Sequence, residues 1–357
     1  MNGGRNLEKN RHDHPVFQVK SKLKTWYLTE KRDLPWRSNP SVYGTWISEI
    51  MLQQTRMETG VPRWHAFLED FPTVEDLAQA KEQTVMKAWE GLGYYRRARL
   101  LHAAAQEIVK LGDFPATRKG WLELPGIGEY TSAAIASIAL GEPVAAVDGN
   151  VQRVVSRLFA VDLPVDSGAG KRLIQQLADE LLDRDDPGSH NQAVMELGAL
   201  VCKPRKPDCP NCPFANACAS SHSEESWTRF PVKKPKKAAT QWKLQQVITQ
   251  HDDQLIVVQR PSEGIWAGLW VFPESGPEGC SSVPLFEEPV KHVLTHRLIE
   301  AHFSTVASSS SEHLAQEAER QGGRVVTWDE LEGLPMPRLM TKLRDSIKNA
   351  LQPTQRL

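Results

Sequence analysis

Residues Leu124 to Asn150, LPGIGEYTSAAIASIALGEPVAAVDGN, constrain the fold of this 357-residue chain more than any other stretch. Pro125 lacks an N–H, and Gly126 and Gly128 favour positive-φ geometry, so the opening residues resist helix and make a turn. From Tyr130 to Leu140, the residues Ala133, Ala134, Ile135, Ile138 and Ala139 recur as the apolar face of a helix. A glycine turn that opens a helix aims several backbone N–H groups one way, which suits a phosphate oxygen and reads no base. An ordinary tight turn between packed helices fits the same residues. Asp148 stands just ahead of another apolar helix face, Val151, Val154, Val155 and Leu158. There it caps the helix, or serves as a lone anion beside a bound group, or does both.

The length allows two domains with a core in each. The overall charge of -1 hides an asymmetry: from Leu244 onward there are 10 Lys/Arg against 15 Asp/Glu, and before it 33 against 29. A basic first part beside an acidic second part fits one polyanion-binding domain and one with another task. No run of 18 apolar residues exists, so no membrane span is expected, and the polar start MNGGRNLEKNRHDHP has no apolar signal core. The expectation is an intracellular, cytoplasmic chain with loosely ordered residues 1–15.

Taken in order, Val16–Lys31 reads as an amphipathic helix burying Phe17, Leu23, Trp26 and Tyr27, and Pro35 then forces extended backbone at Leu34. Tyr43–Glu58 reads as one helix, with Trp46, Ile47, Ile50, Met51 and Met57 inward and Glu49, Gln53 and Arg56 together on its flank. Glu49 is either a solvated carboxylate or an acid at the edge of a buried face, where burial would raise its pKa and fit it for proton donation. Gln53 and Gln54 are surface amides, or side chains that enter a base stack. Short helices are expected at Val61–Phe71, Val74–Ala80 and Thr84–Gly91, and another begins at Tyr95. Tyr94-Tyr95-Arg96-Arg97 interleaves rings and cations, as stacking plus phosphate contact requires and as a core aromatic pair with solvated arginines also would. Lys171–Leu182 and Asn191–Val201 complete the helices of this part.

Cys202, Cys209, Cys212 and Cys218 are spaced C-x6-C-x2-C-x5-C, which favours a metal site over disulfides, zinc being the generic occupant of four thiolates. Trp227–Lys243 carries six basic residues and no acid, a linker by composition. Beyond it come short strands: Gln246–Thr249, Leu255–Gln259, Trp266–Phe272, Val290–Leu294, Ala301–Val306 and Arg324–Trp328. Helices at Asp329–Leu331 and Leu339–Leu351 end the chain.

The motifs WISEIMLQQTRM, GLGYYRRAR, LPGIGEYTSAAI, AVDGNVQRV, the cysteine spacing and IWAGLWVFPE arrive in the order found in the MutY-type adenine DNA glycosylases of the endonuclease III superfamily, which the chain resembles from about Phe17 to Leu351. The resemblance implies a mostly α helix-hairpin-helix glycosylase domain over residues 16–220, its cysteine loop 202–218 holding one [4Fe–4S] cluster. A basic linker (221–243) and an α+β nudix-like (MutT-like) recognition domain (244–357) would come after it. It further implies that Glu49 protonates N7 of a flipped adenine and then activates water, and that Asp148 stabilises the cationic sugar. Tyr130 would position the reacting groups, with Asn150 bonded near Asp148. Arg37, Gln192, Trp36 and Leu52 would line the base pocket. Gln53 and the hairpin glycines Gly126 and Gly128 would contact DNA, while Gln54, Leu92 and Tyr94 would wedge into the stack. Relatives that cut the strand carry Lys where this chain has Tyr130, so the resemblance implies a monofunctional enzyme. The partner would be duplex DNA with adenine opposite 8-oxoguanine or guanine, bound by a monomer. The chain departs from the family at its Phe-Ser-His recognition loop, reading Leu294-Thr295-His296, and lacks the R-E-x-x-E-E metal box of nudix hydrolases. A pyrimidine-removing glycosylase/lyase and a non-catalytic iron–sulfur DNA-binding protein are the competing readings. Tyr130 and the long second domain weigh against the first, and the pairing of Glu49 with Asp148 weighs against the second.

Overall fold

The computed structural model describes residues 20–351, apart from 39, 222, 236, 237, 295 and 296. Phe17, expected as a buried residue, lies outside them. The chain forms two compact units, one of residues up to Glu75 with Ala103–Pro235, the other of Asp76–His102 with the chain from Lys236 onward.

The first unit is helical. It opens with α1 (Lys20–Glu30), α2 (Pro35–Ser38), α3 (Val42–Met51) and α4 (Met57–Asp70). Helices α5 (Val74–Gln79), α6 (Glu82–Ala88) and the start of α7 (Arg96–Leu111) carry the chain through the second unit and back. Then come α8 (Arg118–Leu122), α9 (Glu129–Leu140), α10 (Gly149–Leu158), α11 (Gly168–Leu181), α12 (Pro187–Leu200) and α13 (Glu224–Arg229). Side-chain caps fix where several begin: Ser41 for α3, Asp148 for α10, Ser167 for α11, and Asp186 followed by Pro187 for α12. Helix α9 packs on α3 and α12, and α10 on α11 and α12. Leu23 and Tyr27 of α1 join Val151, Val154, Val155, Leu158, Ile174, Leu177 and Leu197 in one core that reaches Phe214 in the cysteine loop.

The helix expected over Tyr43–Glu58 is two helices. It stops at Met51, the residues after it turn with Gln54 at φ +60, and a new helix starts at Met57. Arg56 is the cap residue of the second helix, so Glu49, Gln53 and Arg56 do not share a helical flank. Neither glycine nor proline marks this break.

Among the described residues the second unit holds a seven-stranded mixed sheet with helices on both faces. The strands are β1 (Thr240–His251), β2 (Gln254–Gln259), β3 (Trp270–Val271), β4 (Val283–Pro284), β5 (Val290–Val293), β6 (Arg297–Ala307) and β7 (Gly323–Thr327). Their order is β3-β2-β1-β6-β4, with β5 also on β6 and β7 on β2. β1 and β6 run parallel from Thr240↔Arg297 to Gln250↔Ala307, and the other pairs are antiparallel. Alternation sorts β2: Leu255 and Val257 face the core shared with α16 (Arg338–Leu351), while Ile256 meets Leu314 and Ala318 of α14 (Ser311–Arg320). Helix α15 (Trp328–Glu332) starts with a capping box, Thr327 and Glu330 bonding reciprocally. Helix α14 and strand β4 were not expected from the sequence, and β3 keeps only two residues of the strand expected over Trp266–Phe272. Gly264, Trp266 and Gly268 at positive φ turn the chain ahead of it. Within this unit the Tyr95 hydroxyl donates to the Met336 carbonyl at 3.0 Å.

Candidate active site and cysteine loop

Glu49 lies in the last turn of α3, half-buried, and its Oε2 accepts the hydroxyl of Tyr130 from the first turn of α9 at 2.6 Å. Burial pushes the Glu49 carboxyl up to about 7. The Tyr130 hydrogen bond works against that rise, nearby Asp148 adds to it and Arg37 opposes it. The Tyr130 hydroxyl is pushed well above its ordinary value, by burial first and by the two carboxylates.

Asp148 caps α10, taking the Val151 N–H on Oδ1 at 2.7 Å and the Asn150 amide on Oδ2 at 2.8 Å. Burial raises its pKa, and these N–H donors pull the other way. Capping and a place beside the acid thus coexist in one side chain. Arg153 holds Asn150 from behind: it donates to Asn150 Oδ1 at 2.9 Å, to the Gly198 carbonyl at 2.7 Å and to the Cys202 carbonyl at 2.8 Å. A Cβ at Gly198 would fall 2.6 Å from the Asn150 Cβ, so the α12 backbone lies flush on the start of α10.

Glu49, Tyr130, Asp148 and Asn150 line one cavity of about 640 Å³. Trp36, Arg37, Leu52, Gln53, Gln54 and Gln192 line it too, so ten of the residues singled out in the sequence converge there. Gln53 is tied to α9, donating to Thr131 Oγ1 at 3.1 Å. The hairpin glycines lie outside the cavity lining, and only Gly126 has positive φ (+76). Gly128 caps α9 in extended backbone (φ -102, ψ -178) with open space where a Cβ would be, correcting the expectation of positive φ for both. In the second unit Leu92 is buried, while Tyr94 is half exposed at φ +49. Thr295 and His296 lie outside the described residues.

Two cavity residues, Arg32 and Glu196, escaped the sequence reading. Glu196 of α12 is 1 % exposed and accepts both forks of Arg32, Nε at 2.7 Å and Nη2 at 2.8 Å, with Arg37 Nη2 at 3.0 Å. The arginines hold its carboxyl down at about 2 against the opposing effect of burial. A carboxylate among the Ala193, Val194 and Leu197 run, with the paired arginines of R-D-L-P-W-R upstream, was the available signal.

All four cysteines of the spaced motif line a second, small cavity of about 30 Å³. Arg157 of α10 reaches Cys202 Sγ at 3.3 Å and the Lys203 and Pro204 carbonyls at 2.8 and 3.0 Å. Burial pushes the thiols of Cys212 and Cys218 up to about 12 and about 11. Among the described residues no three His, Cys, Asp or Glu side chains are grouped as ligands of a single ion. Lys203, Arg205 and Lys206 are exposed on the loop.

A family model described as HhH-GPD superfamily base excision DNA repair protein matches residues 47–189, and one described as NUDIX domain matches 245–346. The adenine DNA glycosylase of Buchnera aphidicola (Schizaphis graminum) is 31% identical over 261 residues, covering 72% of this chain and 75% of that protein. The chain belongs to the adenine DNA glycosylase family. The Arabidopsis thaliana member is 37% identical over 301 residues, 73% of this chain and 48% of its own length. The chain spans about half to three fifths of the length of the Arabidopsis, human and mouse members it matches. Among solved structures, a thermostable thymine-DNA glycosylase aligns at TM-score 0.53 and 29% identity, covering 58% of this chain and 96% of that one. Among the described residues no helix is long and apolar enough to cross a membrane.

Proposed function

We propose that this family member is a monofunctional DNA glycosylase that hydrolyses the N-glycosidic bond of adenine opposite 8-oxoguanine or guanine and leaves an abasic site. The observation that carries the reading is the half-buried Glu49, raised to about 7 and sharing one cavity with Asp148. An acid poised near neutrality can give its proton to N7 of an extruded adenine and take one back from water. Asp148, bonded by Val151 and Asn150, is the anion that the positive sugar requires, a division of labour like that of paired carboxylates in glycosidases. Tyr130 holds Glu49, and Arg37, Gln192, Trp36 and Leu52 surround the base.

Tyr130 stands where strand-cutting relatives carry Lys, and a phenol forms no Schiff base. In the second unit Thr295 and His296 are proposed to read the base opposite adenine. Cys202, Cys209, Cys212 and Cys218 fit one [4Fe–4S] cluster by donor chemistry, four sulfur ligands around one cavity with a guanidinium at Cys202. Such a cluster would shape the loop bearing Lys203, Arg205 and Lys206 for contact with DNA phosphates. In this reading the enzyme works as a monomer in the cytoplasm, residues 16–220 acting on adenine and 244–357 inspecting its partner base across the basic segment between them. Single-turnover excision on an 8-oxoguanine:A duplex tests the whole: wild type should release adenine, Glu49→Gln should do so about 10²–10⁴-fold more slowly, and a strand nicked without added base or heat would refute the monofunctional assignment.

A further inference from the structure

The Arg32–Arg37–Glu196 group has a polarity that its neighbours fix. Glu196 is nine-tenths or more buried and accepts four N–H bonds: the Arg32 backbone N–H at 2.9 Å, Arg32 Nε and Nη2, and Arg37 Nη2. A carboxylate has about four lone-pair sites, so this one is saturated. Arg37 is thereby pinned, its Nη1 also donating to the Arg32 carbonyl at 3.0 Å and its guanidinium lying 5.6 Å from the Tyr27 ring centre. The remaining contact sets the next residue. Arg37 Nε is 3.0 Å from Gln192 Oε1, and a guanidinium can only donate. The carbonyl of the Gln192 amide therefore points to Arg37, and the two N–H of its nitrogen, with no acceptor among the described residues, are left for whatever occupies the cavity that Gln192 lines.

We propose that Glu196 is a positioning residue: its buried carboxylate locks the Arg32 and Arg37 forks and, through Arg37, fixes the Gln192 amide with its NH₂ available to a lone-pair ring nitrogen of the bound base. The proposal rests on the adenine glycosylase reading and deepens it. Nothing in it requires Glu196 to touch the base. Its effect travels through one donor-only link, which makes it separable from a role in stability alone.

The test is a cycle on the full-length chain with Glu196→Gln, Arg37→Lys and the double variant, reading single-turnover adenine release at saturating enzyme per active molecule. Glu196→Gln should slow release about 10- to 100-fold, the penalty of a misplaced contact in an otherwise intact site. Arg37→Lys should slow it comparably, and the double variant should be no slower than Arg37→Lys alone, because the carboxylate acts through the arginine. Rates per active molecule within about two-fold of wild type for Glu196→Gln, or penalties that multiply in the double variant, would overturn the proposal. Should Glu196→Gln fail to fold, Glu196→Asp keeps the charge, withdraws it by one methylene and must show the same non-additivity with Arg37→Lys. Wild type that releases no adenine would instead defeat the functional reading itself, so the two failures are distinguishable.

Discussion

Two glutamates line the same cavity and end in opposite states. Glu49, on the wall made by α3 and α9, has a phenol and a second carboxylate for company and rises to about 7. Glu196, on the α12 wall, is more deeply buried yet falls to about 2, because two guanidinium forks meet it. Burial alone would raise both, so the neighbours decide which glutamate carries a proton near neutrality. The contrast sets a carboxyl that holds its proton towards neutrality beside one that stays ionised, within one cavity.

The largest expected effect that would break the comparison is on rate. Glu49→Gln should cut single-turnover adenine release by about 10²–10⁴-fold, the usual worth of a general acid, and near-normal release would remove Glu49 from the chemistry. Next comes Glu196→Leu, which strips the counter-charge from two arginines and should cost about 3–5 kcal/mol of stability by urea titration. A loss under about 1 kcal/mol would mean the arginines find water or each other tolerable.

The pH dependence sharpens the contrast because its sign differs for the two. Glu49 binds its proton more tightly folded than unfolded, so its ionisation destabilises the fold as pH rises from the ordinary 4.5 to about 7. Glu49→Gln should therefore stabilise the protein above pH 7, by up to about 3 kcal/mol, and the gain should vanish near pH 4. Glu196 works in reverse: its contribution is present above 4.5 and is lost as pH falls towards about 2. Thermal unfolding of wild type, Glu49→Gln and Glu196→Gln across pH 3–9 checks both signs at once. Adenine release by wild type should decline on the alkaline side of about 7 as Glu49 loses its proton. The smallest effect concerns the third carboxylate. Asp148→Asn keeps an oxygen for the Val151 N–H but turns its NH₂ on the Asn150 amide, and Asp148→Ala loses the cap outright, so urea titration should read a loss of about 1 kcal/mol for Asp148→Ala and less for Asp148→Asn.

The helical unit was largely legible because its apolar residues recur at helical spacing and its caps are Ser and Asp ahead of those runs. What the sequence hid was a break carrying no breaker. Leu52 to Arg56 turn through Gln54 in a left-handed conformation uncommon for any residue but glycine and asparagine, and the Tyr43–Glu58 periodicity runs straight across it. Helix α14 was missed although Ser310 caps it and Leu314 and Ala318 sit four apart, since three apolar residues in ten, two of them alanines, make a faint stripe. For the site, Glu49 and Asp148 sit inside recognisable motifs, and folding brings them to one cavity. Glu196 was not legible, because what makes it unusual is two arginines about 160 residues away in the chain, each meeting it only after folding.

Gly198 lies outside the cavity lining, pressed on Asn150 with no atom to spare between the two backbones. A single methyl there would push apart the helices that carry Asp148 and Glu196, so a conservative-looking alanine that never enters the cavity would be felt as a dislocation of both carboxylates at once.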